Sequence, residues 1–558
     1  MTRIDSRSGD TKTIPLALHA GRLEVGDGLL WVSVRGPEAS HRGRTLTVSS
    51  SSLLDTLDPG LAYFSDSWNI LALTNDGLVG FKRVGGLEGA TLVPDLARSL
   101  PRATDGGRKY TFQLRAGLRY SDGRRVRPGD FRRALERVFR LRSGGAFHYL
   151  AIEGASACRR RPDQCDLSRG IVADRAANAV TFNLVRPDPD FLYRLALPFA
   201  FAVSAGTAAH LAVASPVPAT GPYMITRYAK DEELVLRRNP AFRQWSAARP
   251  DGFANRIVWH LHVDDRREVS EILERRADLM FREPPPVLLR QLAASYAGQL
   301  HVAPKGGSYF MSLNTTVVPF DDVRVRRALN LAVDRDVLAG LFAGEGQSTC
   351  QVLPPNFPGY VPYCPFTRRP GRTWTAADLA GARELVRASR TAGAKVTVWA
   401  TPDYAFGIPV PVGRYFVRLL RELGYRASLK VIGSRKEYFA ALLDPARHVQ
   451  MGFSGWASDY PAESGFIVPV LSCAARASSG SQFCDPALER RMDEATRLQI
   501  TDLASAHRRW SSIDHAITDR APWVPLVSRS WVNVVSERLG NFQVNPQWGP
   551  LIDQMWVQ

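Results

Sequence analysis

Lysine is scarce in this chain, and long apolar runs and the common catalytic motifs are missing from it. Only eight of the 72 basic residues are lysine. The longest apolar stretches, such as residues 195–203, are too short to span a bilayer, so the sequence predicts no transmembrane helix. It contains no G-x-S-x-G, H-E-x-x-H or G-x-x-x-x-G-K-S/T motif, and no G-x-G-x-x-G at a strand-to-helix turn. We therefore expect no enzyme, no cofactor and no metal.

The excess of basic residues gives a net charge of +18, which could attract the protein to an anionic envelope surface or to nucleic acid. The arginines are, however, scattered along the whole chain, and the longest run, at residues 159–161, falls in a predicted loop. No helix-turn-helix, zinc-finger or RNA-binding signature accompanies the charge. We interpret the arginine excess as a compositional bias and predict no nucleic-acid partner.

Six cysteines form three pairs of near neighbours along the chain. The pairs are Cys158 with Cys165, Cys350 with Cys364, and Cys473 with Cys484. Fifteen connectivities are possible, and local pairing is the simplest of them. The alternative is six reduced cysteines. Three disulfides would indicate an oxidising compartment.

The stretch at residues 93–139 reads as a strand pair followed by a helix. Tyr110, Phe112 and Leu114 alternate with polar residues, which is typical of a half-buried strand. Pro128 then precedes Asp130, which is predicted to cap a helix that carries apolar residues at helical spacing. At 558 residues with strands and helices in alternation, the chain predicts an α/β architecture with two or three lobes.

Several short motifs occur in an order that resembles one known family. They are P-D-L-A at 94–97, Y-T-F-Q-L-R at 110–115, Y-S-D-G at 120–123, L-D-P at 57–59, N-D-G-L-V at 75–79, T-G-P-Y at 220–223, R-N-P at 238–240, N-T at 314–315, P-F-D-D at 319–322 and VRVRRALNLAVDRDVL at 323–338. Together they resemble the family 5 extracytoplasmic solute-binding proteins, which are the dipeptide- and oligopeptide-binding proteins of ABC importers. The resemblance runs from about residue 46 to the C-terminus.

The resemblance implies a bilobal periplasmic-binding-protein-like (type II) fold with an extra subdomain on lobe I. Lobe I would comprise residues 44–75, 217–307 and 523–558, with the subdomain at 76–216 and lobe II at 308–522. It also implies a monomer that closes on a peptide or other small solute in the interlobe cleft and delivers it to an ABC permease with ATPase subunits.

The segment SGWASDYPAESGF, at residues 454–466, is the leading candidate for ligand binding. It follows an apolar strand and contains the turn formers Gly455 and Pro461. By resemblance, Asp459 would hold the α-ammonium of a peptide, with Trp456 and Tyr460 beside it. The alternatives are that Asp459 caps a turn and that Trp456 packs in the core.

Two further segments contain candidate ligand contacts. Tyr63 and Ser65 lie in a loop that, by resemblance, faces the cleft, although Tyr63 could equally pack beneath that loop. Tyr309 and Asn314 lie on and just after a predicted strand at residues 309–313, to which an extended peptide could add by main-chain hydrogen bonds. The alternative is an ordinary core strand.

The N-terminus differs from the rest of the chain. Residues 1–43 include patterns that resemble one β-propeller blade, with three short predicted strands in the first 36 residues, and they could instead be an ordinary extension. The first 20 residues show no signal-peptide pattern. We therefore expect an extracytoplasmic protein from the family resemblance and the cysteine pairs. The alternative is a cytoplasmic ligand-sensing module derived from a regulator–propeller–solute-binding fusion.

Overall fold

The computed structural model describes residues 2–4, 11–13, 19–26, 29–35, 41–51, 54–207, 216–246, 249–342, 346–404, 407–476 and 479–558, without the side chains of residues 2–35 and 286. In chain order the α-helices are α1 (Ser65–Thr74), α2 (Pro128–Arg140), α3 (Ala155–Arg160), α4 (Phe191–Leu195), α5 (Asp265–Leu273), α6 (Pro286–Ser295), α7 (Val323–Ala332), α8 (Arg335–Leu341), α9 (Leu379–Ser389), α10 (Pro409–Glu422), α11 (Arg435–Leu442), α12 (Glu463–Leu471), α13 (Pro486–Thr501) and α14 (Leu503–Arg520).

The strands are β1 (Thr2–Ile4), β2 (Thr11–Thr13), β3 (His19–Gly26), β4 (Leu29–Arg35), β5 (Gly43–Ser50), β6 (Val79–Phe81), β7 (Leu92–Pro94), β8 (Lys109–Gln113), β9 (Ile171–Asp174), β10 (Ala179–Asn183), β11 (Tyr223–Ala229), β12 (Glu233–Arg238), β13 (Ala254–Leu261), β14 (Leu279–Met280), β15 (Leu300–Leu313), β16 (Gly346–Ser348), β17 (Lys395–Ala400), β18 (Arg426–Val431), β19 (Met451–Ala457), β20 (Trp523–Val534), β21 (Leu539–Gly540), β22 (Val544–Asn545), β23 (Gly549–Pro550) and β24 (Trp556–Val557). Among the described helices, none has the length and apolar character that a membrane span requires.

Two mixed sheets organise the two lobes. The five-stranded sheet has the order β11-β12-β13-β5-β14 and the six-stranded sheet the order β16-β20-β15-β19-β17-β18. Helices α7 to α10 pack on one face of the larger sheet and α12 to α14 on the other, which buries apolar residues on both sides of its strands. Such two-sided burial gives the α/β architecture that the sequence predicts.

A third, antiparallel sheet, β8-β10-β9, forms the subdomain with α2. Tyr110 and Phe112 of β8 point into its core, as the period-2 pattern predicts. The prediction that Asp130 caps α2 is wrong. Arg127 is the N-cap, and Asp130, three residues later, accepts a hydrogen bond from the Arg127 amide at 2.9 Å. The carboxylate thus satisfies a free backbone donor from inside the first turn.

Strands β15 and β20 connect the two lobes. They pair antiparallel from Leu300 and Val534 at one end to Ser312 and Trp523 at the other, with an irregular register between Pro304 and Ser308. At the end of β20, Asn533 donates hydrogen bonds to the carbonyls of Met280 and Phe281, beside the five-stranded sheet. The two strands therefore run from one sheet to the other.

The predicted strand at 309–313 is too short, because β15 begins at Leu300. Pro304, Gly306 and Gly307 are of residue types that are common in turns. In the structure they form the irregular section of a long strand, whose backbone pairing with β20 continues on both sides.

The described N-terminal strands number four, in two antiparallel pairs, rather than the three predicted. The prediction rests on the segments at 3–5, 11–16, 22–25 and 30–34, of which residues 5 and 14–16 lie outside the described residues. The propeller-blade interpretation stays a prediction.

Candidate functional site

A cavity of about 440 Å³ lies between the two lobes. This volume is within the range of about 300–1,000 Å³ that is typical of small-molecule sites. Its wall includes the loop before α1 and the start of that helix, the irregular section of β15, the loop that joins β19 to α12, and a segment near the C-terminus. The polar side chains along it are those of Tyr63, Ser65, Asp66, Arg282, Lys305, Asn356, Ser458, Asp459, Tyr460, Arg529 and Gln547.

The loop between β19 and α12 brings Asp459 to this cavity. The Ser458 amide donates to the carbonyl of Gly306 at 3.1 Å, and the Gln547 side chain donates to the Asp459 carbonyl at 2.9 Å. Gly455 is needed just before the loop, because a Cβ there would lie 2.7 Å from the Tyr309 ring. The loop is thus held by strand β15 on one side and by the C-terminal segment on the other.

Asp459 is surrounded by neutral partners. The Tyr63 hydroxyl donates to Asp459 Oδ2 at 3.1 Å, and His148 Nε2 lies 3.5 Å from the same oxygen. Burial raises the pKa of Asp459 to about 6, and the Tyr63 hydrogen bond only partly opposes this. The same burial, together with the Asp459 charge, raises the pKa of Tyr63, so its phenol stays protonated and remains a donor.

The other acids near the cavity are paired with cations. Asp66 Oδ2 lies 2.8 Å from the Arg282 guanidinium, and Glu283 lies 3.1 Å from Lys305 Nζ. Burial opposes ionisation of Glu283, but Lys305 and Arg529 outweigh it and lower the pKa of Glu283 to about 2. Among the described residues that line the cavity, Asp459 is therefore the one carboxylate without a cationic side-chain partner.

Three cations stand at the side of the cavity formed by β15, β20 and the segment after β14. Lys305 Nζ lies 3.8 Å from the centre of the Trp531 ring, and the Arg529 guanidinium lies 5.1 Å from the centre of the Tyr309 ring. The Arg282 side chain completes the group. Because the Ser458–Gly306 hydrogen bond joins the residues next to Asp459 and Lys305, the acidic and basic groups line the same cavity.

Of the predicted ligand contacts, the structure places Asp459, Tyr460, Tyr63 and Ser65 along this cavity. The Tyr460 hydroxyl donates to Asp190 Oδ2 at 2.9 Å, and its ring stacks on Tyr193. Ser65 is the first residue of α1 and is exposed.

The other predicted contacts lie elsewhere. Trp456 donates its Nε1–H to the carbonyl of Phe466 at 2.9 Å and lines a separate cavity of about 320 Å³ on the α12 side of the sheet. Tyr309 packs among Phe342, Tyr404 and Phe453.

Asn314 is also held inside the protein. Its amide donates to the carbonyl of Val449 at 3.0 Å, and its Oδ1 accepts from Thr316. The structure therefore does not bring Trp456, Tyr309 and Asn314 together with Asp459 around one cavity.

Sequence reasoning missed His148, Arg282, Lys305, Arg529 and Gln547. Lys305 had one available signal, since it is one of only eight lysines and stands beside a Gly-Gly pair. The others lie in segments without a motif.

The six predicted cysteines are bonded as three local pairs, Cys158–Cys165, Cys350–Cys364 and Cys473–Cys484. Each bond closes a loop outside the interlobe cavity. In the described part of the chain, no group of three or more His, Cys, Asp or Glu side chains could hold a metal ion.

The overall architecture matches solved binding proteins along nearly the whole chain. The clavulanic acid biosynthesis oligopeptide binding protein 2 has a TM-score of 0.81 and 23% identity, and the match covers 94% of this chain and 97% of that one. The DppA periplasmic binding protein of Helicobacter pylori, solved with the peptide STSA, has a TM-score of 0.67 and 21% identity, with 93% and 99% covered. These likenesses confirm the bilobal type II fold.

Sequence relatives and a family model identify the family to which the chain belongs. It is 24% identical over 479 residues to a probable di/tripeptide-binding protein 5 of Pseudomonas aeruginosa, covering 82% of this chain and 85% of the relative. It is 25% identical over 496 residues to the dipeptide-binding protein of Escherichia coli, covering 83% and 85%. The model of the bacterial extracellular solute-binding proteins, family 5 Middle, matches residues 91–478. The chain belongs to this family, as its motifs predict.

Proposed function

We propose that this protein is the substrate-binding component of an ABC importer and that it binds short peptides in the interlobe cavity. The observation that carries the proposal is the state of Asp459, a carboxylate on the cavity wall whose described partners are all neutral. A buried carboxylate without a cationic partner favours a cationic ligand, because the charge is otherwise poorly compensated.

The cations that line the same cavity suit the carboxylate end of a peptide. Arg282, Lys305 and Arg529 face two paired acids, Asp66 and Glu283, so a net positive charge remains in this part of the cavity. A ligand with one ammonium and one carboxylate would match both this charge and Asp459. The di- and tripeptide-binding relatives support the same class of ligand.

The proposed mechanism is closure of the two lobes on the ligand. We place lobe I at residues 44–75, 217–307 and 523–558, its subdomain at 76–216 and lobe II at 308–522. Strands β15 and β20 cross between the lobes next to Lys305, so a small backbone change in their irregular section would move one lobe relative to the other. Contacts to both lobes would then stabilise the closed form, which would deliver its ligand to a membrane permease driven by ATPase subunits.

We also propose that the protein works outside the cytoplasm. Three disulfides are stable in an oxidising compartment and are rare in the cytosol. Membership of a family of extracellular solute-binding proteins supports the same location. The proposed function has no catalytic step.

The proposal is tested by calorimetry with a panel of dipeptides and by mass spectrometry of ligand that co-purifies with the protein. We expect Asp459→Asn to weaken peptide binding by at least about 30-fold, since loss of one partner of a buried charge pair costs about 2–5 kcal/mol. Asp163→Asn is the matched control, because Asp163 is an exposed carboxylate on the subdomain. Equal affinities of wild type and Asp459→Asn would refute the role of Asp459 as ammonium partner.

A further inference from the structure

His148 is a buried side chain beside the proposed ammonium partner. It lies in the turn that follows α2, where Ser143 Oγ accepts a hydrogen bond from the Gly145 amide at 3.1 Å. Its ring packs against Phe147 at 4.0 Å and against Phe199 at 6.0 Å between ring centres. These contacts fix the ring with Nε2 directed toward Asp459, 3.5 Å from Oδ2.

His148 Nε2 makes no hydrogen bond with any described residue, although its side chain is only 3% exposed. Its approach to Asp459 lacks the geometry of a hydrogen bond. A buried polar atom without a partner is costly, and such exceptions occur where a ligand supplies the missing group. Among the described residues no hydrogen bond reaches Asp459 Oδ1 either, so an oxygen of this cavity-lining carboxylate and the enclosed His148 Nε2 beside it both lack a hydrogen-bond donor.

His148 is uncharged, so one of its ring nitrogens can accept a hydrogen bond. Burial, together with the nearby positive charge of Arg194, lowers the pKa of His148 to about 3. Arg194 itself is held by Asp188, 2.6 Å from its guanidinium. The imidazole is therefore neutral at ordinary pH, and a neutral imidazole has one nitrogen with a free lone pair. It does not compete with a ligand cation for Asp459.

We propose that His148 is a ligand-binding residue whose Nε2 accepts a hydrogen bond from the ligand's α-ammonium, next to the Asp459 carboxylate. A primary ammonium has three N–H donors, and the site offers three acceptors: an Asp459 oxygen, His148 Nε2 and the Tyr63 hydroxyl oxygen. This inference rests on the proposed peptide-binding function. It narrows the ligand class to peptides with an unmodified N-terminus, because an acylated nitrogen has lost both its charge and two of its donors.

The test uses a library of di- and tripeptides with free N-termini and the same library after N-acetylation. Each is incubated with wild type, His148→Leu, His148→Gln and Asp459→Asn, and retained peptides are identified and their affinities measured. We expect wild type to retain only the peptides with free N-termini. His148→Leu should bind them about tenfold or more weakly, because it loses a hydrogen bond to a charged group. His148→Gln, which keeps an acceptor oxygen, should recover part of the affinity. The exposed His448→Gln is the control, and thermal unfolding checks the fold of each variant.

The outcomes separate the inference from the function on which it rests. Retention of neither library by wild type would overturn peptide binding itself. Retention of both libraries equally would overturn the ammonium site and the role of His148 with it. Free peptides retained as well by a folded His148→Leu as by wild type would overturn only the role of His148. A ¹⁵N spectrum of labelled histidine that showed a proton on Nε2 of His148 in the free protein would do the same.

Discussion

Two carboxylates near the same cavity have their pKa values shifted in opposite directions. Glu283 is balanced by Lys305 and Arg529, which lower its pKa to about 2, so its charge is already compensated within the protein. Asp459 has a phenol and a neutral imidazole as neighbours, and burial raises its pKa to about 6. At the residue scale, the proposed preference for a cationic ligand rests on Asp459, because among the described cavity residues it is the carboxylate without a cationic side-chain partner.

If Asp459 binds the ligand ammonium as proposed, its raised pKa predicts that peptide binding depends on pH. A ligand ammonium stabilises the ionised carboxylate, so binding lowers the pKa from its free value of about 6, and affinity falls as the pH falls through that value. From pH 7 to pH 5 we expect a loss of about tenfold by proton linkage. The peptide ammonium, with a pKa of about 8, stays charged in this range. His148 stays neutral throughout it.

Calorimetry with one dipeptide between pH 5 and pH 7.5 measures this effect. The Asp459→Asn variant should bind the dipeptide more weakly, with an affinity that does not change over this pH range. The same slope in wild type and variant would assign the pH dependence to another group.

At the scale of elements, the segments with one exposed face are those that the sequence predicts well. The alternating pattern of Tyr110, Phe112 and Leu114 predicts a strand that the structure has as β8, and the helix predicted after Pro128 is α2. Helix α1 was not predicted, because nearly all of its residues are buried and no 3.6-residue polar pattern remains. The same holds for β20, which is buried along almost its whole length.

The residues of the candidate site also fall into two groups, those that the sequence predicts and those that it does not. Asp459 and Tyr63 follow from motifs, because each lies in a loop whose local pattern matches the family. His148, Lys305 and Arg529 come from three distant segments that meet only when the lobes and the subdomain pack together. No local sequence pattern predicts that these three residues lie close together, because their proximity depends on how β15 and β20 cross between the lobes.

The disulfide of Cys473 and Cys484 closes the segment between α12 and α13, with a sequence separation of 11 residues. We expect the double variant Cys473→Ser/Cys484→Ser to lower the free energy of unfolding by about 3 kcal/mol, because the unfolded chain gains freedom. Urea unfolding measures the loss, and a reducing agent should then have no further effect through this pair.

Thiol labelling of the native, unreduced protein gives the matching check. We expect no reactive cysteine until the protein is reduced and unfolded. Labelling of all six cysteines in the native state would rule out the three disulfides and would remove the main physical support for an extracytoplasmic location.

At the scale of the whole molecule, one carboxylate joins the subdomain to lobe II. Asp190, at the start of α4, accepts hydrogen bonds from the Tyr460 hydroxyl at 2.9 Å, from Ser464 Oγ at 2.7 Å and from Gln499 Nε2 at 2.9 Å. Its side chain is only 10% exposed. Because Tyr460 is the neighbour of Asp459, this contact also positions the loop that carries the proposed ammonium partner.

Removal of this carboxylate should shift the balance between the open and closed forms of the molecule. In Asp190→Ala three donors lose their acceptor, so we expect the unliganded protein to open and its radius of gyration in solution scattering to increase. Peptide affinity should fall about tenfold or more, because a smaller fraction of the protein is in the binding-competent form. A saturating peptide should restore the compact form, while Asp163→Ala, on the exposed side of the same subdomain, should change neither quantity. An unchanged radius of gyration together with an unchanged affinity would show that Asp190 serves local packing and does not control lobe closure.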